Sequence, residues 1–274
     1  MRGVYIKRDA IQASDEWAIR RAKWFAKVRA VVALYAGKQV VLYGQSALQV
    51  LGVELPERLQ DWTHVHLMVA NQTERTKRSD VTWHTSSRPL EVWRVIDGMP
   101  VLNPVDHWLQ LPGATLNEMV EVGDGFLRRR NPLLTLDGMQ ARLAELGRIP
   151  GVRLARQALG LVRAGTDSLY ETRVRLLLVD AGLPTPNVNP AVLCPASGRW
   201  YHPDMAYERA KIAIEFDGQG HVGSRQQMDI DVERRRHLQD ADWLVISVTA
   251  SQLQAPKDFI RSVETALILR TGRF

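Results

Sequence analysis

The sequence predicts a mixed α/β and α+β protein, in which an α+β module precedes a C-terminal mixed sheet flanked by helices. Three observations carry this. Apolar residues recur at helical spacing in some stretches and alternate with period two in others, in both halves of the chain. Between Ser168 and Leu269 the periodicity reads as helix, three strands, helix, strand, helix. Ala164-Gly165-Thr166-Asp167 is a small polar break between two helical patterns, which sets the domains at 1–165 and 166–274.

The first helix is expected from Ser14 to Ala36, where Trp17, Ala18, Arg21, Trp24, Phe25, Val28 and Val32 share a face behind an acidic start at Asp15 and Glu16. Val40 to Tyr43 is a short apolar run, and Gln45 to Gly52 reads as a helix ended by glycine. Strands are expected at Val65–Val69, Val81–His84 and Trp93–Ile96, followed by a helix through Leu109. Val120–Arg130, Leu136–Glu145 and Val152–Val162 read as helices of a basic stretch. Beyond the break come a helix from Ser168 to Ala181, with Leu169, Val174, Leu177, Leu178 and Ala181 toward the core, and strands at Val188–Cys194, Trp200–Tyr207 and Lys211–Asp217. A charged helix at Asp229–Gln239, a strand at Trp243–Val248 and a helix at Asp258–Leu269 close the pattern, with no internal repeat or heptad run.

A chain of 274 residues and 31.0 kDa can bury a core, and 45% hydrophobic with 24% charged residues is ordinary for a globular protein. Lys plus Arg exceeds Asp plus Glu, 36 against 30, giving a net charge of +6 and a pI near 9.7, a balance compatible with a polyanionic partner. A single cysteine, Cys194, excludes an internal disulfide and a cysteine-built zinc site. With no apolar run near membrane length and no leader-like start, the expected location is the cytoplasm, with no membrane partner.

The stretch that concentrates chemistry is Lys211–His221, KIAIEFDGQGH. Ile212, Ile214 and Phe216 alternate with Ala213, Glu215 and Asp217, so one strand face is apolar and the other ends in two carboxylates. Upstream, His202-Pro203-Asp204 interrupts the strand Trp200–Tyr207, and a hairpin would bring Asp204 near Glu215. Such crowded negative charge is costly unless a cation joins it.

Pro203-Asp204 followed by Glu215-x-Asp217 resembles the PD-(D/E)xK nuclease superfamily. With Ser168, Glu171, Arg173, Gly218, His221, Asp231, Arg234 and Trp243, the segment from Thr166 to Leu267 resembles the branch related to very-short-patch-repair endonucleases. Two positions depart from that pattern: Asp217 stands where the superfamily has lysine, and Asp242 where a glycine precedes the tryptophan. The resemblance implies a restriction-endonuclease-like domain acting on DNA with Mg²⁺, for which Mn²⁺ would substitute, and with a homodimer if both strands are cut. Asp204 and Glu215 are then the expected metal ligands, with Asp217 a ligand or an orienter of water. The plainer reading makes Asp204 a turn residue after Pro203 and pairs Glu215 with an arginine. Glu171 either joins the site or closes a capping box with Ser168. His221 is the candidate general base or acid, or a solvated turn residue. Arg234 and Arg235 are candidate phosphate contacts on a charged helix, as are Arg128 and Arg129, which alternatively offset a helix dipole.

The N-terminal half resembles actinobacterial proteins that join an abortive-infection-type antitoxin module to a nuclease-like domain. Arg2-Gly3-Val4-Tyr5, the helix ending Leu51-Gly52, the turn Asp97–Val101 and Asn103-Pro104-Val105-Asp106 carry this likeness through their order. That family has a winged helix-turn-helix before Gly-Val-Tyr, and the chain begins where the wing would end, so the module is expected to lack its DNA-reading wing. The function expected is a metal-dependent DNA endonuclease of DNA repair or phage defence. The competing class is an inactive regulator of antitoxin type that binds nucleic acid or a partner protein of a defence or toxin-antitoxin system.

Overall fold

The computed structural model describes residues 16–70, 75–218 and 225–272, with side chains at 16–17 and 225–231 outside the description. The chain divides into two compact units, Met1–Val122 with Asp137–Gly160, and Gly123–Leu136 with Leu161–Phe274. The mixed α/β and α+β character expected from periodicity is present in both. The break at Ala164–Asp167 falls just inside the second unit.

The first unit holds α1 (Glu16–Ala33), β1 (Val40–Leu42), α2 (Gly44–Val50), β2 (Val65–Val69), β3 (Val81–Thr85), β4 (Arg94–Ile96), β5 (Met99–Val101) and α3 (Pro104–Trp108). Its mixed sheet runs β3-β2-β1-β5-β4. Trp24, Val28, Val31 and Val32 of α1 are buried, whereas Arg21, grouped with them by spacing, is exposed. The Asp97–Val101 turn is tighter than the sequence suggests: Asp97 and Gly98 take positive φ, so β5 follows at once as a hairpin partner of β4. α4 (Leu116–Phe126) carries the chain into the second unit, and α5 (Leu136–Leu146) and α6 (Val152–Leu161) bring it back and out again.

The second unit is built on α7 (Leu169–Asp180), β6 (Asn187–Val188), β7 (Val192–Cys194), β8 (Arg199–Tyr201), β9 (Met205–Tyr207), β10 (Ile212–Asp217), α8 (Arg225–Asp240), β11 (Leu244–Thr249), α9 (Ala250–Gln254) and α10 (Lys257–Thr271). Its four-stranded sheet runs β11-β10-β9-β6, with β10 parallel to β11 and antiparallel to β9. Ile212 and Ile214 on one face meet Val174 and Leu178 of α7 and Phe259, Val263 and Leu267 of α10. On the other face Ala206 and Ala213 meet Leu238 of α8 and Trp243. Helices on both faces explain why the short strands are apolar almost throughout.

Two predicted strands are each divided. Val188–Cys194 becomes β6 and β7, and Trp200–Tyr207 becomes β8 and β9; β7 and β8 form a separate hairpin off the main sheet. Asn189 with φ 47° turns the chain in the first case, and His202-Pro203-Asp204 breaks the ladder in the second. Ala181, expected in the core, is exposed, because α7 ends at Asp180 and the chain turns away at Gly182. Asp242 takes φ 64° directly after α8, where Asp242 N–H bonds Gln239 O at 2.8 Å and Trp243 N–H bonds Leu238 O at 2.8 Å. This is a Schellman end, the reason a glycine suits the position and an aspartate is tolerated there.

A buried ion pair explains why 123–136 belongs with the later segment. Asp124 is fully buried, and its Oδ2 accepts from Arg175 Nη2 at 2.7 Å and Thr172 Oγ1 at 2.8 Å, while Oδ1 accepts from Arg163 N–H at 2.7 Å. Burial pushes the Asp124 carboxyl up, opposed by Arg175 and these hydrogen bonds. Arg175→Met should destabilise the unit by about 3–5 kcal/mol in urea titrations, since it strands a buried carboxylate. Removing the exposed Arg29–Asp97 pair should cost under about 1 kcal/mol and vanish at high salt.

Candidate active site

The register Met205↔Ile214 puts Asp204 next in line opposite Glu215, so the two carboxylates arise from facing positions of adjacent antiparallel strands. β9 begins at Met205, and where the ladder stops the Phe216 N–H is taken by Asp204 Oδ2 at 2.7 Å. Glu215 Oε1 forms an ion pair with Arg234 Nη2 at 2.7 Å, and that nitrogen donates to the His202 carbonyl at 3.0 Å. Arg234 thus ties α8 both to the metal-ligand candidate and to the interruption that positions Asp204. Ser247 of β11 pairs with Glu215 in register, and its Oγ accepts from Arg235 Nη2 at 3.3 Å.

Glu171 reaches the same place from α7. Its first turn is fixed by Ser168, whose Oγ accepts from Glu171 N–H at 3.2 Å. Glu171 Oε2 accepts from the Asp167 amide at 2.9 Å, one residue further out than a capping box requires. Tyr170 stacks on Phe216 with centroids 4.7 Å apart and planes 4° from parallel, and Arg173 lies over the outer Tyr170 ring at 5.0 Å. The stack joins the start of α7 to β10.

Electrostatic coupling links Glu171, Asp204 and Asp167. Burial, and then the charge of Asp204, push the Glu171 carboxyl up to about 7, against the pull of the Asp167 amide and Ser168. Burial likewise raises Asp204, opposed by the Phe216 amide and by Arg234. Arg129 hydrogen bonds Asp167 and is held further above its ordinary value by Asp167, Glu171 and Asp204.

Arg129 arrives by a route the sequence did not suggest. The helix expected through Arg130 ends at Phe126, because Gly165 N–H bonds Leu127 O at 3.0 Å and Arg129 N–H bonds Thr166 O at 3.2 Å, drawing the chain out alongside 165–166. The three arginines therefore lie beyond the end of α4 and not within its last turn. Arg128 turns to Asn131 O at 3.0 Å, and Arg129 faces the acids. Asp167 belongs to the cluster and was not singled out by any motif; its place in a polar break masked it.

Asp217 stands at the exposed end of β10, one strand repeat beyond Glu215, and does not complete a three-carboxylate group with Asp204 and Glu215. His221 lies outside the described residues, as does the side chain of Asp231. Among the described residues, no three His, Cys, Asp or Glu side chains form a metal-holding group. The donor chemistry still suits a hard cation: Mg²⁺ typically uses one or two carboxylates and fills its other positions with water and phosphate oxygens. Asp204 and Glu215 are the two carboxylates that could hold such an ion, and Arg234 sits on Glu215 as the sequence's plainer reading expected of it.

Comparison with known proteins adds two uncharacterized relatives. Over 140 residues the chain is 24% identical to the uncharacterized proteins MT2308 and Rv2248 of Mycobacterium tuberculosis strains, covering 47% of this chain and 51% of each of theirs. The chain thus spans about half the length of the curated relatives it matches. No family model and no solved structure matches it. Among the described residues, no helix is long and apolar enough to cross a membrane.

The raised Glu171 carboxyl has a signed consequence. The folded state holds a proton there that the unfolded chain releases near pH 4.5, so stability falls as pH rises from about 4.5 through about 7. Glu171→Gln should flatten that slope. It should stabilise the metal-free protein at pH 8 by up to about 3 kcal/mol, with little change at pH 4, as read from urea midpoints.

Proposed function

We propose that this protein is a cytoplasmic Mg²⁺-dependent DNA endonuclease, hydrolysing phosphodiester bonds in DNA repair or phage defence, with Mn²⁺ able to replace Mg²⁺. The observation that carries the reading is that the β9–β10 register sets Asp204 opposite Glu215, with Asp204 in turn helping to push the Glu171 carboxyl up to about 7. The resemblance to the very-short-patch-repair branch of the PD-(D/E)xK nucleases supports it from sequence. So does the chain's net charge of +6.

In this reading Asp204 and Glu215 would hold the ion. A bound divalent cation supplies charge neutralisation at the scissile phosphate and an acidified water. The chain's own groups do the rest. Phe216 N–H fixes one Asp204 oxygen and leaves the other for binding. Glu171, titrating near neutrality, can take a proton from an attacking water at physiological pH. Arg234 exchanges Glu215 for a phosphate oxygen when substrate enters, and Arg129 stands behind Asp167 for the same purpose. His221 keeps its sequence-derived role as alternative base or leaving-group acid.

A second reading has one observation in its favour. The Glu215–Arg234 pair at 2.7 Å offsets the Glu215 charge without a cation, as an inactive regulator that binds nucleic acid or a partner protein would need.

Supercoiled plasmid separates the two. Wild type should nick it with Mg²⁺ or Mn²⁺ and not with EDTA, while Glu215→Gln and Asp204→Asn should lose at least about 100-fold in rate with the fold intact. Wild-type protein that binds DNA but leaves it uncut with either ion would sink the nuclease reading. Binding of Mn²⁺, followed by calorimetry, should tighten as pH rises through about 7 as Glu171 gives up its proton.

A further inference from the structure

The first unit contains a cavity of about 280 Å³ that none of the chemistry above uses. Phe25 of α1 and Trp62 contribute aromatic rings to its lining, Leu55 an aliphatic side chain, and Arg21 and Glu54 charges. Gln49 of α2 lines it as well.

Gln49 is the anomaly. Its side chain is only 7% exposed, yet among the described residues neither its amide nitrogen nor its amide oxygen has a hydrogen-bond partner. A buried amide with both ends unpaired is costly, and an apolar side chain of the same size would remove the cost. The contrast with Gln60, on the same cavity, is direct. Gln60 Nε2 donates to the Leu55 carbonyl at 2.7 Å and its Oε1 accepts from Trp62 Nε1 at 2.9 Å, so that amide is spent on holding the Trp62 indole in place. Trp62 is further steadied by an edge contact with Trp24 at 6.0 Å and 78°. The cavity therefore has a fixed aromatic wall and an unspent donor and acceptor side by side. Arg21 lies against Phe25 with its guanidinium 5.4 Å from the ring centroid, on an exposed helix position.

We propose that this cavity binds a nucleobase, read by the Gln49 amide through one donor and one acceptor and stacked against Trp62 or Phe25. A glutamine amide matches the adjacent N6 donor and N7 acceptor of adenine, and aromatic side chains take a base face regardless of its identity. The cavity is near the lower end of the size range of small-molecule sites, enough for a base with its sugar at the mouth. Arg21 is placed to meet a phosphate attached to that sugar. The base has two sources, a free mononucleotide or a base turned out of a single strand, and no residue of the carboxylate cluster lines the cavity.

Tryptophan fluorescence titrations test it, with AMP, adenosine, inorganic phosphate and a short single-stranded oligo(dA) as probes on the full chain. AMP or oligo(dA) should bind, and phosphate alone should not. Saturation by AMP identifies a mononucleotide site, and saturation by oligo(dA) alone identifies a base drawn from a strand. Gln49→Met should raise the melting temperature of the free protein and weaken binding of the effective probe at least tenfold. Arg21→Ala, at a surface position, should weaken AMP or oligo(dA) severalfold and leave adenosine unchanged, which keeps a test in hand if Gln49→Met fails to fold. Failure of both AMP and oligo(dA) to bind, or binding undiminished in both variants, overturns the proposal. Because Glu215→Gln leaves this cavity untouched, its loss of nicking with base binding retained would separate this site from the nuclease reading.

Discussion

The bond from the Phe216 amide to the Asp204 carboxylate is the constraint on which the second unit's site rests. A strand that stops short leaves a backbone donor facing an empty ladder position, and here an aspartate behind a proline fills it. One oxygen of Asp204 is thereby committed to structure. The same bond continues the β9–β10 register to the position facing Glu215, and Phe216, whose amide it takes, is the residue on which Tyr170 stacks.

Keeping those acids together has a cost that the surroundings only partly offset. Arg234 answers Glu215, Arg129 answers Asp167, and backbone amides answer Asp204 and Glu171. Glu171 remains the least compensated, and its carboxyl rises accordingly. Poorly compensated ionisable groups tend to collect where a protein binds or reacts. In contrast, the more deeply buried Asp124 is surrounded by donors on both oxygens, the condition of a structural charge.

Much of this was legible in the sequence for local reasons. The period-two run Ile212–Asp217 fixed β10 and the face of Glu215, and Ser168 marked the start of α7. The hairpin between Asp204 and Glu215 followed from a three-residue spacer, which forms a single turn of 3-10 helix with Lys211 in the left-handed region. What could not be read came from distant backbone. Nothing near Arg129 says that residues 165–166 will pull it out of a helix, and nothing near Asp167 says that an arginine from 38 positions away will meet it. The division of Val188–Cys194 depended on one asparagine adopting positive φ, a choice that composition permits without requiring.

The discontinuity of the second unit bears on how this protein could be taken apart. A fragment starting at the polar break would leave Asp124 behind, and Arg175, only 2% exposed, would be sealed in without a counter-charge. The carboxylate cluster would lose Arg129 by the same cut. Residues 137–160 interrupt the second unit in sequence, so a cut that keeps this unit whole must also carry residues 123–136.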